Sequence, residues 1–400
     1  MELTKQMVEY LEQTSMYETI PNTGVIQTIP ENMDLSIDNF HFNFSMAGAR
    51  LFIYGNSDIS YDIYFVDNDT NTIKSFFKIK PNNWVASYEE YYVNWRIDVK
   101  PEGADISETK SFIQDLYDKH VLVKINTSAL GDNIAYMPVI EEFRKKHKCK
   151  VSVMTLYPDY ANLFKPYKNI NFVAPNAALQ NVEYKYSIGW YGEGKAGKMN
   201  KRDCHDISLQ QIAGDVLGIE LNNIDVPFIK VNTTMPVIKG DYVVISPFST
   251  AQMKLWNNDR WQDIVDYLHT KNISTVVIGK GDNYLENVID YTGTQSLSML
   301  RNIIHHSKFG IYLPSGLSWL NWSMDKDTIM ITGISESYCE FKNKIHRIEP
   351  VDSSCKGCFN NKSIIFDRFD WNHCVNITEK FECTKKISLD QVIEKIDMLI

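Results

Sequence analysis

Nowhere does this chain carry an apolar run long enough to cross a bilayer; none approaches the roughly 18 residues that a spanning helix needs. Residues Met1 to Ile20 include Glu2, Glu9, Glu12 and Glu18 and have no apolar core segment, so they do not read as a secretory leader. Positive charge is also short: 41 Lys and Arg stand against 50 Asp and Glu, a formal net charge of -9. That argues against a nucleic-acid surface. It leaves room for a small anionic ligand, because a few local lysines and helix N-termini suffice for one. The nine histidines make no HExxH pattern and no triad arrangement. No internal repeat of roughly 20–50 residues occurs. These absences predict a globular cytoplasmic protein with no membrane span and no nucleic-acid partner.

Cysteine is sparse, with seven in 400 residues, but four of the seven are clustered. Cys355-Lys-Gly-Cys358 is followed by Cys374 and Cys383. A CxxC pair with two more cysteines inside about thirty residues is the spacing of a tetrathiolate metal site. Gly357 permits the tight turn that lets the first two sulfurs face one ion. Two disulfides, or four unrelated buried thiols, are the alternatives. In a reducing cytosol the metal is favoured. A closed tetrathiolate supports folding rather than catalysis, so the expected site is structural. Cys149, Cys204 and Cys339 are scattered and read as structural or incidental.

Four hundred residues are too many for one core and predict two or three domains. Residues 1–20 suggest a short helix. Residues 36–100 alternate with period two in Arg50–Tyr54, Tyr61–Val66 and Tyr91–Ile97, separated by turn clusters at 55–58, 67–71 and 81–83. They predict a small antiparallel sheet or barrel. From about residue 105 the pattern becomes α/β. Strands are expected at 121–125, 151–154 and 170–173, with helices at 134–146, 159–165 and 207–217. After a linker at 231–240, a second α/β unit has strands at 242–245, 274–278, 308–313 and 328–332 and helices at 261–271 and 297–305. The division is therefore 1–105 (helix and β-barrel-like), 106–230 and 231–345 (two doubly wound units), 346–388 (the cysteine segment) and 389–400 (a last amphipathic helix). Two such units in tandem place a ligand in the cleft between them, at the C-terminal ends of the strands.

Several strand-end segments carry candidate chemistry. Ser249-Thr-Ala-Gln-Met-Lys254 follows a buried strand; small hydroxyls and a lysine there suit a diphosphate, although an ordinary loop with an exposed lysine would look the same. Ser315-Gly-Leu-Ser318 opens a helix whose free N–H groups suit a phosphate, or is simply an N-cap. Gly279 ends the strand between these two loops in sequence. Asp132, in Leu130-Gly-Asp-Asn133, is either a general base facing the cleft or the N-cap of the 134–146 helix. Gly192–Lys198 imitates a phosphate-binding P-loop, but Met199 stands where that motif needs Ser or Thr. Trp319 and Trp322, three apart, read as core packing.

Three segments occur in a telling order: Leu130–Pro138, then Ser249–Lys254 with Trp256 and Trp261, then Ser315–Leu320. Together they resemble a GT-B glycosyltransferase related to the lipopolysaccharide heptosyltransferases. The tail, with Cys355-Lys-Gly-Cys-Phe-Asn360, Phe366-Asp, Asp370-Trp371, Cys374 and Phe381-Glu-Cys-Thr384, resembles the iron-finger of the bacterial autotransporter O-heptosyltransferases. The resemblance covers roughly residues 35–390. One departure is Val375, where the family usually has Pro. The resemblance implies two Rossmann-like domains behind a small barrel, an ADP-heptose donor, and serine hydroxyls of an autotransporter passenger as acceptor. It implies Asp132 as base, donor contacts from Ser249, Thr250, Lys254, Gly279, Ser315, Gly316, Leu317 and Ser318, and assembly into a dodecamer. It also implies one iron per chain, with zinc as the alternative, on Cys355, Cys358, Cys374 and Cys383. The runner-up readings are a GT-B transferase of lipopolysaccharide or another glycan using a different nucleotide-sugar, and an inactive scaffold on the same fold.

Overall fold

The structure, a computed structural model, describes residues 23–400 apart from 29, 31–32, 46–47, 157–158, 176, 193, 222–234, 352–354 and 365–373. The expected helix at 1–20, residues 231–234 of the expected linker and the Phe366 to Trp371 part of the cysteine segment lie outside the described residues.

Residues 23–113 form two four-stranded antiparallel sheets. One runs in the order Thr23–Val25, Asn83–Ala86, Gly48–Tyr54, Asn39–Ser45, and the other Thr72–Ile79, Tyr61–Asp67, Trp95–Pro101, Lys110–Ile113. Alternate side chains, among them Leu51, Ile53, Ile63, Phe65, Trp95 and Ile97, point into one shared core. Two corners are turned by asparagines with positive φ: Asn71 at 56° in the hairpin of strands 61–67 and 72–79, and Asn82 at 64° where the chain passes from one sheet to the other. The strand expected at Tyr91–Ile97 begins only at Trp95. Tyr91, Tyr92 and Val93 are buried without being strand: Tyr91 and Val93 pack into the β core, while Tyr92 is claimed by the neighbouring α/β unit. The Tyr92 N–H donates to the Val216 carbonyl at 2.8 Å, and its ring packs on Phe143, His147 and Tyr186.

Two parallel sheets follow. The first orders Ile170–Val173, Lys150–Met154, His120–Ile125, Tyr184–Ile188; the second orders Ile289–Thr292, Ser274–Gly279, Tyr242–Ser246, Gly310–Tyr312, Thr328–Ile331, Ile345–Ile348. Every pairing in both is parallel. Each sheet starts near its centre, winds one way, then returns to add strands on the other side. The direction reverses between 120–125 and 184–188 in the first sheet, and between 242–246 and 310–312 in the second. Those two reversals are where a doubly wound sheet opens a crevice at its strand ends. The strands are apolar on both faces, as a sheet covered by helices requires; all five residues of Tyr242–Ser246 are buried.

In the parallel sheets three strands lie outside those expected from the sequence: Tyr184–Ile188, Ile289–Thr292 and Ile345–Ile348. All are short, carry polar or charged residues, and form edges of their sheets. The expected strand 308–313 shortens to Gly310–Tyr312, and the P-loop mimic is a set of tight turns in which Lys198 pairs with Glu90 at 3.2 Å. Trp319 and Trp322 are core, edge to face at 5.3 Å. The last helix, Leu389–Asp397, opens with a Ser388 cap, buries Val392 and Ile396, and packs against the helix Asn258–Thr270.

Candidate functional site

The segments singled out in the sequence meet at the two crevices. Asn126–Ala129 leads from strand 120–125 into the helix Leu130–His147, whose N-cap is Ala129. The helix thus starts four residues earlier than expected, and Asp132 sits inside its first turn rather than at its cap. Its carboxylate, only 8% exposed, makes no capping bond to the backbone. Instead Trp190, just past strand 184–188 on the other side of the reversal, donates its indole N–H to Asp132 Oδ2 at 2.9 Å. Burial raises the Asp132 pKa above the ordinary carboxylate value, with Trp190, the Thr127 hydroxyl and the Lys254 charge pulling it back. In its ionised form, which Trp190, Thr127 and Lys254 favour, a carboxylate held this way is a stronger proton acceptor than one in water.

In the second sheet, strand 242–246 leads into a loop that ends in the 3-10 turn Gln252–Lys254. Lys254 Nζ donates to the Pro314 carbonyl at 3.2 Å, just after strand 310–312. Burial lowers the Lys254 pKa, while Glu340 and Asp132 act to hold its charge. Glu340 is itself buried, bonded by Ser335 and paired with Arg347. The lysine therefore stands between two carboxylates, one from each crevice wall. Among the described residues the Pro314 carbonyl is its hydrogen-bond partner, and an ammonium with three donors has room for an incoming anion.

The Ser315–Ser318 segment begins the helix Gly316–Trp322, and Ser318 hydroxyl donates to the Ser315 carbonyl at 2.7 Å. This seven-residue helix packs directly on the first turn of Leu130–His147. The contact is glycine on glycine: a Cβ on Gly131 would lie 2.9 Å from Trp319 Cδ1, and one on Gly316 would lie 2.9 Å from Leu130 Cβ and 3.2 Å from the Gly131 nitrogen. Only hydrogens fit between the two turns. Asp132, Lys254 and the Pro314–Ser318 loop are thus brought to one place. Ser249 and Thr250 lie in the loop that leads to Lys254, Ser249 Oγ accepting from the Ala251 N–H at 3.1 Å and Thr250 being exposed. Leu317 is partly buried against the shared core. Gly279, with φ of 136°, ends strand 274–279 beneath the Phe248 ring, where a Cβ would come within 2.6 Å.

The four clustered cysteines converge as well. None of the seven cysteines is joined in a disulfide in this structure, an arrangement closer to the tetrathiolate expectation than to the two-disulfide alternative. Cys355, Cys358, Cys374 and Cys383 line one cavity together with Met253, Ile334 and Phe381. Gly357 turns the chain with φ of 68°, and its N–H donates to the Gly333 carbonyl at 2.9 Å. The Phe381 N–H donates to Cys374 Sγ at 3.3 Å. Burial, then the neighbouring Cys355, Cys358 and Cys374, pushes the Cys383 thiol up to about 12. Four thiols gathered in one apolar cavity, with an amide already aimed at one sulfur, suit a thiophilic cation. Asp203, Cys204 and His205 also gather, their ligand atoms within 4.8 Å of one another. There, however, Asp203 Oδ1 already pairs with His205 Nδ1 at 2.7 Å, and the Lys362 ammonium lies 3.8 Å from Asp203.

Sequence reasoning missed Trp190, Glu340 and Met253. Trp190 follows a strand, Gly189 and nothing else distinctive; the residue it serves is 58 positions away. Met253 is buried with Ala251 and Ile334 against Phe359 and Phe381, so the turn carrying Lys254 rests on the cysteine loop.

No family model matches the chain. Among characterised proteins it is 29% identical to the autotransporter heptosyltransferase BAHTCr of Citrobacter rodentium over 89% of this chain and 88% of that protein. It is 28% identical to the autotransporter heptosyltransferase TibC of Escherichia coli over 95% of each. A more distant relative, 21% identical over 77% of this chain, is described as the inactive autotransporter heptosyltransferase BimC of Burkholderia thailandensis. The crystal structure of TibC, a dodecameric iron-containing heptosyltransferase in complex with ADP-D-β-D-heptose, superposes with a TM-score of 0.79 at 27% identity, covering 95% of this chain and 98% of that one. A likeness that spans nearly the whole of each chain makes this protein a homologue of the autotransporter heptosyltransferases.

Proposed function

We propose that the protein transfers a heptose from ADP-heptose to serine hydroxyls of an autotransporter passenger, in the cytoplasm. The observation that carries the reading is the meeting of Asp132, Lys254 and the Pro314–Ser318 loop across two parallel-sheet crevices. A donor diphosphate would lie against Lys254 and the 315–318 backbone, with Ser249, Thr250 and Gly279 on the nucleotide side. The acceptor oxygen forms its bond to the anomeric carbon as the bond from that carbon to the diphosphate oxygen breaks. The hydroxyl proton passes to Asp132, and the charge that develops on departing ADP is met by Lys254. The relatives' names favour this donor and acceptor over a lipopolysaccharide glycan. The active reading over the inactive one rests on this chain's own Asp132 and Lys254.

The same reading gives 1–105 as a barrel-like front domain, 106–230 as the acceptor-side domain, 231–345 as the donor-side domain, 346–388 as a metal finger and 389–400 as a closing helix. Cys355, Cys358, Cys374 and Cys383 would hold one iron, with zinc the alternative. Bound there, the ion would neutralise the thiolates and tie the finger together. Assembly into a dodecamer is the expected quaternary state, as for TibC.

Asp132→Asn tests the reading. The amide keeps an oxygen for the Trp190 N–H but accepts no proton from the acceptor. Transfer from ADP-heptose should fall roughly 100-fold or more, with ADP affinity by calorimetry unchanged. A variant that turns over normally would remove Asp132 from the chemistry.

A further inference from the structure

The cysteine loop does more than close on itself. The residue after Cys358 is Phe359, and its ring meets Trp190 edge to face, 5.5 Å between centroids at 87°. Phe359 is fixed in turn: its N–H donates to the Ile334 carbonyl at 2.9 Å, and its ring also packs on His205 at 5.9 Å. Asn360 donates to the His205 carbonyl at 2.6 Å, and Tyr338 donates to the same oxygen at 2.7 Å. The loop is thereby fastened to the segment 203–206 of the first α/β unit. Trp190 is held on one side by this aromatic contact and on the other by its bond to Asp132.

We infer that Trp190 is a positioning residue for Asp132, and that Phe359 of the cysteine loop holds it in place. This inference rests on Asp132 being the base. An indole N–H has one donor and no acceptor, so it can bond only an oxygen with a lone pair to offer. It ties down Oδ2 and so fixes the orientation in which the carboxylate meets an acceptor hydroxyl. It also favours the ionised carboxylate in a site where burial opposes ionisation. The other groups acting on Asp132 are few. Lys254 approaches from the 252–254 turn and the Thr127 hydroxyl from the preceding loop, and Tyr136 lies one turn along its own helix. The facing helix 316–322 presents Gly316 and Trp319, neither of which titrates.

Trp190→Phe keeps a flat ring and removes the N–H. Transfer is followed as ADP released from ADP-heptose with an autotransporter passenger as acceptor, across the acid and neutral range. Because the base works when deprotonated, losing a donor to its charged form moves the acid limb of kcat/KM to higher pH, by roughly one unit. ADP affinity should stay at the wild-type value, and activity should recover toward the wild-type plateau as pH rises. Phe359→Leu, which leaves the N–H but loosens the indole, should move the limb the same way by less. It decides the matter alone if Trp190→Phe does not fold. An acid limb that stays in place in the variants, with Asp132→Asn inactive, overturns the positioning role and leaves the base standing. An active Asp132→Asn removes both.

Discussion

Adding one methyl group at Gly131 is the sharpest probe of the contact between the two crevice walls. In an unconstrained helix, Gly to Ala would stabilise by about 1 kcal/mol. Here the new Cβ would lie 2.9 Å from Trp319 Cδ1, 3.3 Å from Cγ and 3.5 Å from the Gly316 Cα. Carbon pairs rest near about 3.5–4.0 Å, so the walls must part by roughly 0.6 Å or more. Trp319 cannot swing aside, since it is buried against Trp322 at 5.3 Å and Phe341 at 5.1 Å. Overpacking of this kind costs about 1–3 kcal/mol. Set against the helix gain, the net loss of stability is about 0–2 kcal/mol. The loss of rate should be larger in proportion, because misplacing reacting groups by about 1 Å costs up to roughly 100-fold. Urea denaturation of Gly131→Ala should show a modest drop in midpoint, while kcat/KM for transfer from ADP-heptose falls by roughly 10- to 100-fold. Gly316→Ala, whose Cβ meets backbone as well as Leu130, should fare worse. A Gly131→Ala enzyme with wild-type kcat/KM would refute the reasoning: the Asp132 turn and the Ser315 loop would not be in contact during turnover.

Lys254→Ala should weaken ADP binding roughly 10- to 100-fold in calorimetry, the worth of a charge-assisted bond to the diphosphate; an unchanged affinity would place the nucleotide elsewhere. Cys358→Ser should lower bound metal, measured by elemental analysis of protein purified without chelator, and should lower the melting temperature, because site and fold form together. A wild-type protein that is metal-free, fully folded and titrates four thiols in the finger would count against the tetrathiolate. Burial against Tyr92 and Phe143 pushes the His147 pKa down to about 4. The unfolded chain therefore takes up a proton near pH 6.5 that the folded one refuses until about 4, and the stability from this site is full above that window and lost as pH falls through it. His147→Gln should flatten the acid dependence of the urea midpoint between those values, and a slope identical to wild type would show that His147 contributes none of it.

Much of the chemistry is legible in the amino-acid sequence alone. The CxxC pair with its two later cysteines names four candidate ligands, because a tetrathiolate needs sulfurs and a tight turn, and both are local. The helix and strand positions of both parallel sheets follow from apolar runs and caps, such as Ser208 and Gly218 bracketing Leu209–Leu217. The short strands Tyr184–Ile188, Ile289–Thr292 and Ile345–Ile348 are not legible, since four or five residues with charges among them become strand only by pairing with a neighbour already in place.

Asp132 shows where the division falls. Its spacing after a buried strand marks it as either cap or base, and local pattern carries the matter no further. The tertiary structure starts the helix at Leu130, which takes the capping role away, and brings Trp190 from 58 residues on to its carboxylate. The order of strands does this: the strand before Trp190 pairs with the strand before Asp132, across the reversal of the sheet. Likewise Met253 and Phe359 join the cysteine cavity to both crevice walls through side-chain packing between distant segments. Sequence by itself determined which groups are present and the local geometry of each turn. Which carboxylate meets which donor was decided only by the order in which strands pair within the sheet, because contacts of long sequence separation leave no periodic trace in the chain.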